Sequence, residues 1–196
     1  MYDRDLYLKA AQHLELNIYL HSLALEACMG GLYDYLKDSG LLKSDELQRE
    51  DWTLAGLIHD IDYHKDFKGT HPMQTKEALA IFGLPITDQL NELVRSHAPE
   101  ISGIKPHTQA QWSIFCADSL TGLIMAVAFV YPSKKLADVK VSSVLKRFLK
   151  EPKFAAGTRR DEVKMCENPD GLNIPLEKFI EICLTSMQKI APQINL

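Results

Sequence analysis

Apolar positions recur at helical spacing along nearly the whole chain, and no stretch of four or more residues between turn signals alternates as a strand does. The pattern predicts an all-α bundle of about seven to nine helices without a sheet. Asp3 to His13 reads as a short first helix, a lid or bracket, with Leu6, Ala10 and Leu14 on one face and acids at its positive end. Asn17 is the expected cap of a longer helix whose stripe of Leu20, Leu23, Ala24, Ala27, Cys28 and Leu32 runs up to Ser39-Gly40. Gly30-Gly31 inside it costs about 1 kcal/mol per residue relative to alanine, which marks a close helix crossing. Ser44 or Asp45 should cap the helix carrying Trp52, Ala55, Leu57 and Ile58. His71-Pro72 should open the next, with Ala78, Leu79 and Phe82 inward and Gly83 as its stop.

Thr87 should cap a helix from Asp88 to Ser96 with Leu90, Leu93 and Val94 buried, after which Pro99 and Gly103 break the chain. From about Thr108 to Val130 a long apolar segment carries Trp112, Phe115, Cys116, Leu120, Leu123 and Val127 and reads as the central buried helix. Short helices at Ser143 to Lys150 and Thr158 to Cys166, a loop with Pro169 and Gly171, and a final amphipathic helix from Pro175 to Ile190 complete the chain. In the last, Phe179, Ile180, Cys183, Leu184 and Met187 face inward.

Polar residues set into this apolar pattern carry the candidate chemistry. The run Leu54-Ala55-Gly56-Leu57-Ile58 ends in His59-Asp60, so a helix with Leu54, Leu57 and Ile58 on its core face delivers two metal-ligand types toward the interior. A buried carboxylate there needs a cation. A His-Asp pair alone is most often a hydrogen-bonded structural couple, but His21, His97 and Asp118 also lie within apolar helical stretches. With His71 the order along the chain is His, His-Asp, His, His, Asp. A lone ionised Asp118 in the central helix would cost several kcal/mol, which calls for a metal or a tightly paired base beside it.

This order resembles the HD superfamily of metal-dependent phosphohydrolases over most of the chain. Leu57-Ile58-His59-Asp60-Ile61 is similar to that family's doublet motif, His21 to its first histidine and Ala117-Asp118 to its closing aspartate; His71 and His97 are similar to the variant that holds two metals. Asp62-Tyr63 stands where many members have Gly-Lys. The resemblance implies an all-α fold, a phosphohydrolase working through a metal-activated hydroxide, and the metal ligands His21, His59, Asp60, His71, His97 and Asp118. His21, His59, Asp60 and Asp118 would hold a first ion, and His71 and His97 a second, weaker one with Asp60 as the bridge. The donor set suits Fe, Mn, Co, Ni or Zn, one or two divalent ions per chain, and magnesium less. Asp62 or His64, on either side of the missing lysine, is the expected proton donor beside Asp60. The polar connection from Ile61 to Thr70, with Asp62, His64, Lys65, Asp66 and Lys68, is the expected mouth of the site.

At 196 residues the chain suits one domain, burying roughly 70% of its unfolded surface. It divides into a metal-site core at about 15–131 and a basic helical extension at about 132–196. A net charge of −4 argues against general nucleic-acid or anionic-membrane binding. Basic residues gather in the extension, and Lys146, Arg147 and Arg159 are the candidates for contacting a small phosphorylated substrate, such as a nucleotide; a solvated helix face is the plainer account. Cys28, Cys116, Cys166 and Cys183, with no CxxC, suit reduced core thiols. The N-terminus has no apolar signal segment, and Leu120 to Tyr131 is too short to span a bilayer, so a cytoplasmic protein is expected. The other readings are a di-iron HD-fold oxygenase and a catalytically inactive domain that binds a nucleotide or a partner.

Overall fold

A computed structural model describes residues 2–64 and 66–196, with the side chain of Lys68 left aside. Lys65 and the Lys68 side chain, both counted in the expected mouth, therefore lie outside the described residues. Among those residues there are ten α-helices, four single 3-10 turns and no strand. The helices are α1 (Arg4–Ala11), α2 (Leu16–Asp38), α3 (Arg49–Ile58), α4 (Thr75–Ala80), α5 (Asp88–Arg95), α6 (Pro99–Ser102), α7 (Gln109–Val130), α8 (Val141–Lys150), α9 (Arg160–Lys164) and α10 (Leu176–Lys189). As α4, α6 and α9 have six residues or fewer, seven longer helices build the bundle. The all-α expectation is met.

The starts of two helices, α2 and α3, differ from the sequence reading. Helix α2 begins at Leu16 behind Glu15, without a side-chain cap, and Asn17 lies inside its first turn. Helix α3 is capped by Gln48, reciprocally with Asp51; Ser44 and Asp45 stay in the preceding turn. The carboxylate of nearby Glu46 instead accepts the Gln109 and Ala110 amides at the start of α7, the helix that Thr108 and Gln111 cap as a box. Helix α1 buries Tyr7, Ala10 and Ala11 while Leu6 is 46% exposed. Its phase is set by the Tyr7 hydroxyl, which donates to the Pro85 carbonyl.

Helices α2, α3, α7 and α10 form the centre, with α2 packed against the other three. The predicted inward face of α10 is buried throughout. The close crossing expected at Gly30-Gly31 is present at Gly31 of α2, where a Cβ would overlap Ser186 Oγ and lie 3.1 Å from Ser186 Cβ on α10, while Gly30 faces the Arg49 and Thr53 side chains. Another falls at Gly56 of α3: a Cβ there would lie 2.8 Å from the Glu26 backbone nitrogen and Cα and 2.9 Å from the Leu25 carbonyl carbon. The apolar stretch read as Leu120 to Tyr131 belongs to the 22-residue α7, which is long and apolar enough by composition to cross a membrane. Fourteen of its residues are buried in the bundle, as in a core helix. The four cysteines are free and buried.

Candidate metal centre

Five elements converge at the His-Asp doublet. His59 caps the C-terminus of α3 and Asp60 follows it; His21 comes from α2, Asp118 from α7, His97 from the turn after α5, and His71 from the connection before α4. His71 does not open a helix as expected, since it closes a 3-10 turn at Lys68–Thr70 and α4 starts only at Thr75. Four of the seven histidines and two aspartates meet as two groups that can hold metal ions. In each group, His21, His59 and Asp118 or Asp60, His71 and His97, the ligand atoms lie within 4.8 Å of one another.

The second ring nitrogen fixes each imidazole. His59 Nδ1 donates to the Gly56 carbonyl at 2.9 Å and His97 Nδ1 to the Val94 carbonyl at 2.6 Å. His71 Nδ1 donates to Asp62 Oδ1 at 2.6 Å. The Thr121 hydroxyl gives its proton to the Asp118 carbonyl, so it accepts from His21 Nδ1 at 2.9 Å. With every Nδ1 engaged at the periphery, every Nε2 points into the centre. Nε2 atoms then face each other at 3.1 Å between His21 and His59, and again between His71 and His97. A cation between such a pair could take both nitrogens as ligands; without one, His21 Nε2 lies 3.0 Å from Asp118 Oδ1 and donates to it.

Asp60 stands across both pairs. Its Oδ2 is 3.2 Å from His59 Nε2 and its Oδ1 is 3.2 Å from His71 Nε2, one oxygen toward each group. Burial works to raise its pKa, but the His59 ring and the neighbouring histidines hold it well below the usual carboxylate range. Burial acts the same way on Asp118, and there the hydrogen bond to His21 prevails and lowers it. Both acids are therefore anionic at neutral pH. Burial, reinforced by His59, pushes His97 down to about 4 and so keeps that ring neutral. Burial works to lower His21 and His71, but the hydrogen bonds to Asp118 and Asp62 raise both above the ordinary imidazole value; a metal ion would take the place of those inward protons, and the residues fit such a group.

The other predicted site residues are distributed differently. Asp62 is fully buried, and its second oxygen accepts the Gln74 amide at 2.9 Å. Both its oxygens are thus engaged, and it orients His71 rather than standing free to donate a proton. His64 lines a separate apolar cavity of about 250 Å³ with Phe67 and Phe82. Of the three basic candidates only Arg159 reaches the centre, donating from Nη2 to Asp118 Oδ2 at 2.7 Å and from Nε to Glu162 at 2.5 Å. Lys146 faces Glu151, and Arg147 lies over the Phe154 ring and donates to the Ser143 carbonyl. An opening of about 310 Å³ reaches His21 and Asp118 between Ser119 and Gly122 of α7 and the loop Ala155 to Thr158. One wall of this opening, Ala155 to Thr158, comes from the C-terminal third of the chain. Thr121 and Gly56 were missed in the sequence, where a threonine and a glycine inside apolar helices carry no distinguishing signal.

Compared with protein-family models, with curated proteins and with solved structures, the chain matches none. What the fold and the site define is an all-helical protein with a buried His/Asp group that can hold metal ions.

Proposed function

We propose that this protein is a metal-dependent phosphohydrolase of the HD type, acting on a small phosphoester. The observation that carries the reading is Asp60 with one oxygen toward each of two histidine pairs whose Nε2 atoms converge. His21, His59, Asp60 and Asp118 would hold one ion, and His71, His97 and Asp60 a second. Divalent ions so held supply Lewis acidity, lowering the pKa of water toward about 7 and neutralising charge on a phosphoryl group. The chain itself does the rest. Gly56, Val94, Asp62 and Thr121 lock the four imidazoles, and Asp60 keeps the two groups in register.

Arg159 sits at the edge of the opening, with a guanidinium able to contact a phosphoryl oxygen. Its pairing with Asp118 and Glu162 holds it there in the absence of substrate. The reading needs no serine or cysteine nucleophile, which agrees with a site built from imidazoles and carboxylates alone.

The test is a screen of metal-stripped protein reloaded with Mn²⁺, Fe²⁺, Co²⁺ or Ni²⁺ against nucleoside monophosphates, cyclic nucleotides and dinucleoside polyphosphates. Phosphate release that depends on the metal is the expected outcome. Its absence from every substrate, with metal demonstrably bound, refutes the proposal. Oxygen uptake with a mixed-valent iron spectrum would then identify a di-iron oxygenase, and ligand binding without product an inactive binding domain.

A further inference from the structure

On one side, the opening over His21 and Asp118 is bounded by a strap between α8 and α9, the residues Ala155, Ala156, Gly157 and Thr158. Ala155 has a φ of 46°, in the left-handed region that a Cβ disfavours. A backbone of this kind persists where its surroundings over-determine it. Part of the restraint is local. The Thr158 N–H donates to the Ala155 carbonyl at 2.9 Å and closes the strap on itself, and the Phe154 N–H donates to the Glu151 carbonyl at 2.9 Å.

The rest of the restraint comes from Arg160, the first residue of α9. Its Nε donates to the Phe148 carbonyl at 3.1 Å, and its Nη2 to the carbonyls of Glu151 at 3.3 Å and Phe154 at 2.6 Å. Phe148 lies in the last turn of α8, where carbonyls have no partner within the helix and a cation is favoured. The guanidinium also stands over the buried Phe148 ring, 5.8 Å from its centroid. Its rigid fork of five N–H donors is what lets one side chain meet three carbonyls. Arg160 thereby ties the residue before the strap to the end of α8, while its own N–H holds the Thr158 carbonyl at 2.9 Å. Its neighbour Arg159 reaches the other way and donates to Asp118.

We propose that Arg160 is a positioning residue for the metal centre. It is none of the candidate ligands, and by gathering three carbonyls it holds the strap and Arg159 where they bound the opening over His21 and Asp118. This role concerns access to the centre and does not rest on the phosphohydrolase reading. Under that reading, the strap also sets how a phosphoester enters.

The test is chemical access to His21 in the full chain freed of metal, measured by carbethoxylation with diethyl pyrocarbonate and peptide mass spectrometry. Exposed His107 reports on the reagent, and buried His97 on general stability. Arg160→Gln offers two N–H donors in place of five. It should raise the rate at His21 about tenfold or more, since each net hydrogen bond lost shifts a local opening equilibrium several-fold. His97, His107 and the helical spectrum should stay as in the wild type. Ala155→Val puts a branched side chain at the left-handed position and leaves Arg160 in place. It should open the strap in the same way, and it decides the matter if Arg160→Gln does not fold. A wild-type rate at His21 in the folded variant overturns the proposal, and so does a rise that His97 shares, the mark of general destabilisation. Under the phosphohydrolase reading, Arg160→Gln should also raise KM for a phosphoester with its ion content unchanged. A rise at His21 alone, in a protein that hydrolyses no phosphoester, supports the role of Arg160 and counts against the phosphohydrolase reading alone.

Discussion

Replacing Gly56 with alanine should unsettle the metal centre from outside the set of ligands. The new Cβ would meet the Glu26 nitrogen and Cα at 2.8 Å and the Leu25 carbonyl carbon at 2.9 Å, all backbone atoms that cannot rotate away. Carbon contacts are optimal near 3.5–4.0 Å, so α2 and α3 must part locally by about 0.7–1 Å. Overpacking of this kind costs about 1–3 kcal/mol, and the better helix propensity of alanine returns about 1 kcal/mol. The net loss is about 0–2 kcal/mol, equivalent to about 2–4 °C in Tm for each kcal/mol in a chain of this size. The larger effect is geometric. His21 rides on α2, and His59 ends α3 bonded to the Gly56 carbonyl, so the same displacement separates two ligands that must be held within about 0.5 Å. Far-UV circular dichroism, thermal unfolding and metal analysis after equilibrium dialysis would show an unchanged helix content, a lower Tm and a loss of at least about tenfold in affinity for the first ion. Gly122→Ala is the internal control, because a Cβ there meets nothing within 4 Å, and it should be neutral or stabilising with ion content unchanged. If Gly56→Ala matches that control in both Tm and ion content, the α2–α3 crossing does not set the ligand geometry.

Metal analysis also tests the assignment of ions. Wild-type protein should bind about two per chain, His97→Ala about one, and Asp60→Ala none, each with its helical spectrum preserved; two ions retained in His97→Ala would return His71 and His97 to structural or substrate-contacting roles. Thr121→Val removes the acceptor for His21 Nδ1 at nearly constant volume and should weaken the first ion about 10–100-fold, read by competition with a chelator, while leaving the second. Asp62→Asn should do the reverse, weakening the ion at His71 and His97 by a similar factor, and an effect confined to the first ion would contradict the pairing. Arg159→Lys keeps a positive charge but loses the two-pronged contact with Asp118 and Glu162; metal content should hold while KM for a phosphoester rises, and an unchanged KM would remove Arg159 from substrate binding.

The helical class and the ligand types were legible in the sequence because both are local. A 3.6-residue period shows which face of α5 or α10 is buried without reference to anything else, and polar residues inside apolar stripes stand out, so His21, His59, Asp60, His97 and Asp118 could be picked from the chain alone. His71 was also found, although its own helix was misplaced, because the motif order pointed to it. Tertiary structure decided the remainder. That Asp62 turns its carboxylate to His71 and the Gln74 amide depends on a connection folding back on itself. That Arg159 reaches Asp118 while Lys146 and Arg147 do not depends on where α9 lies against α7, a contact spanning 41 residues. The conspicuous Gly30-Gly31 did mark a close approach, of Gly31 to Ser186 on α10, but the backbone contact at Gly56 carried no signal, since backbone approach is a property of two helices and a sequence shows one at a time. Periodicity records what each segment hides from water; only the packing of segments decides which hidden groups meet.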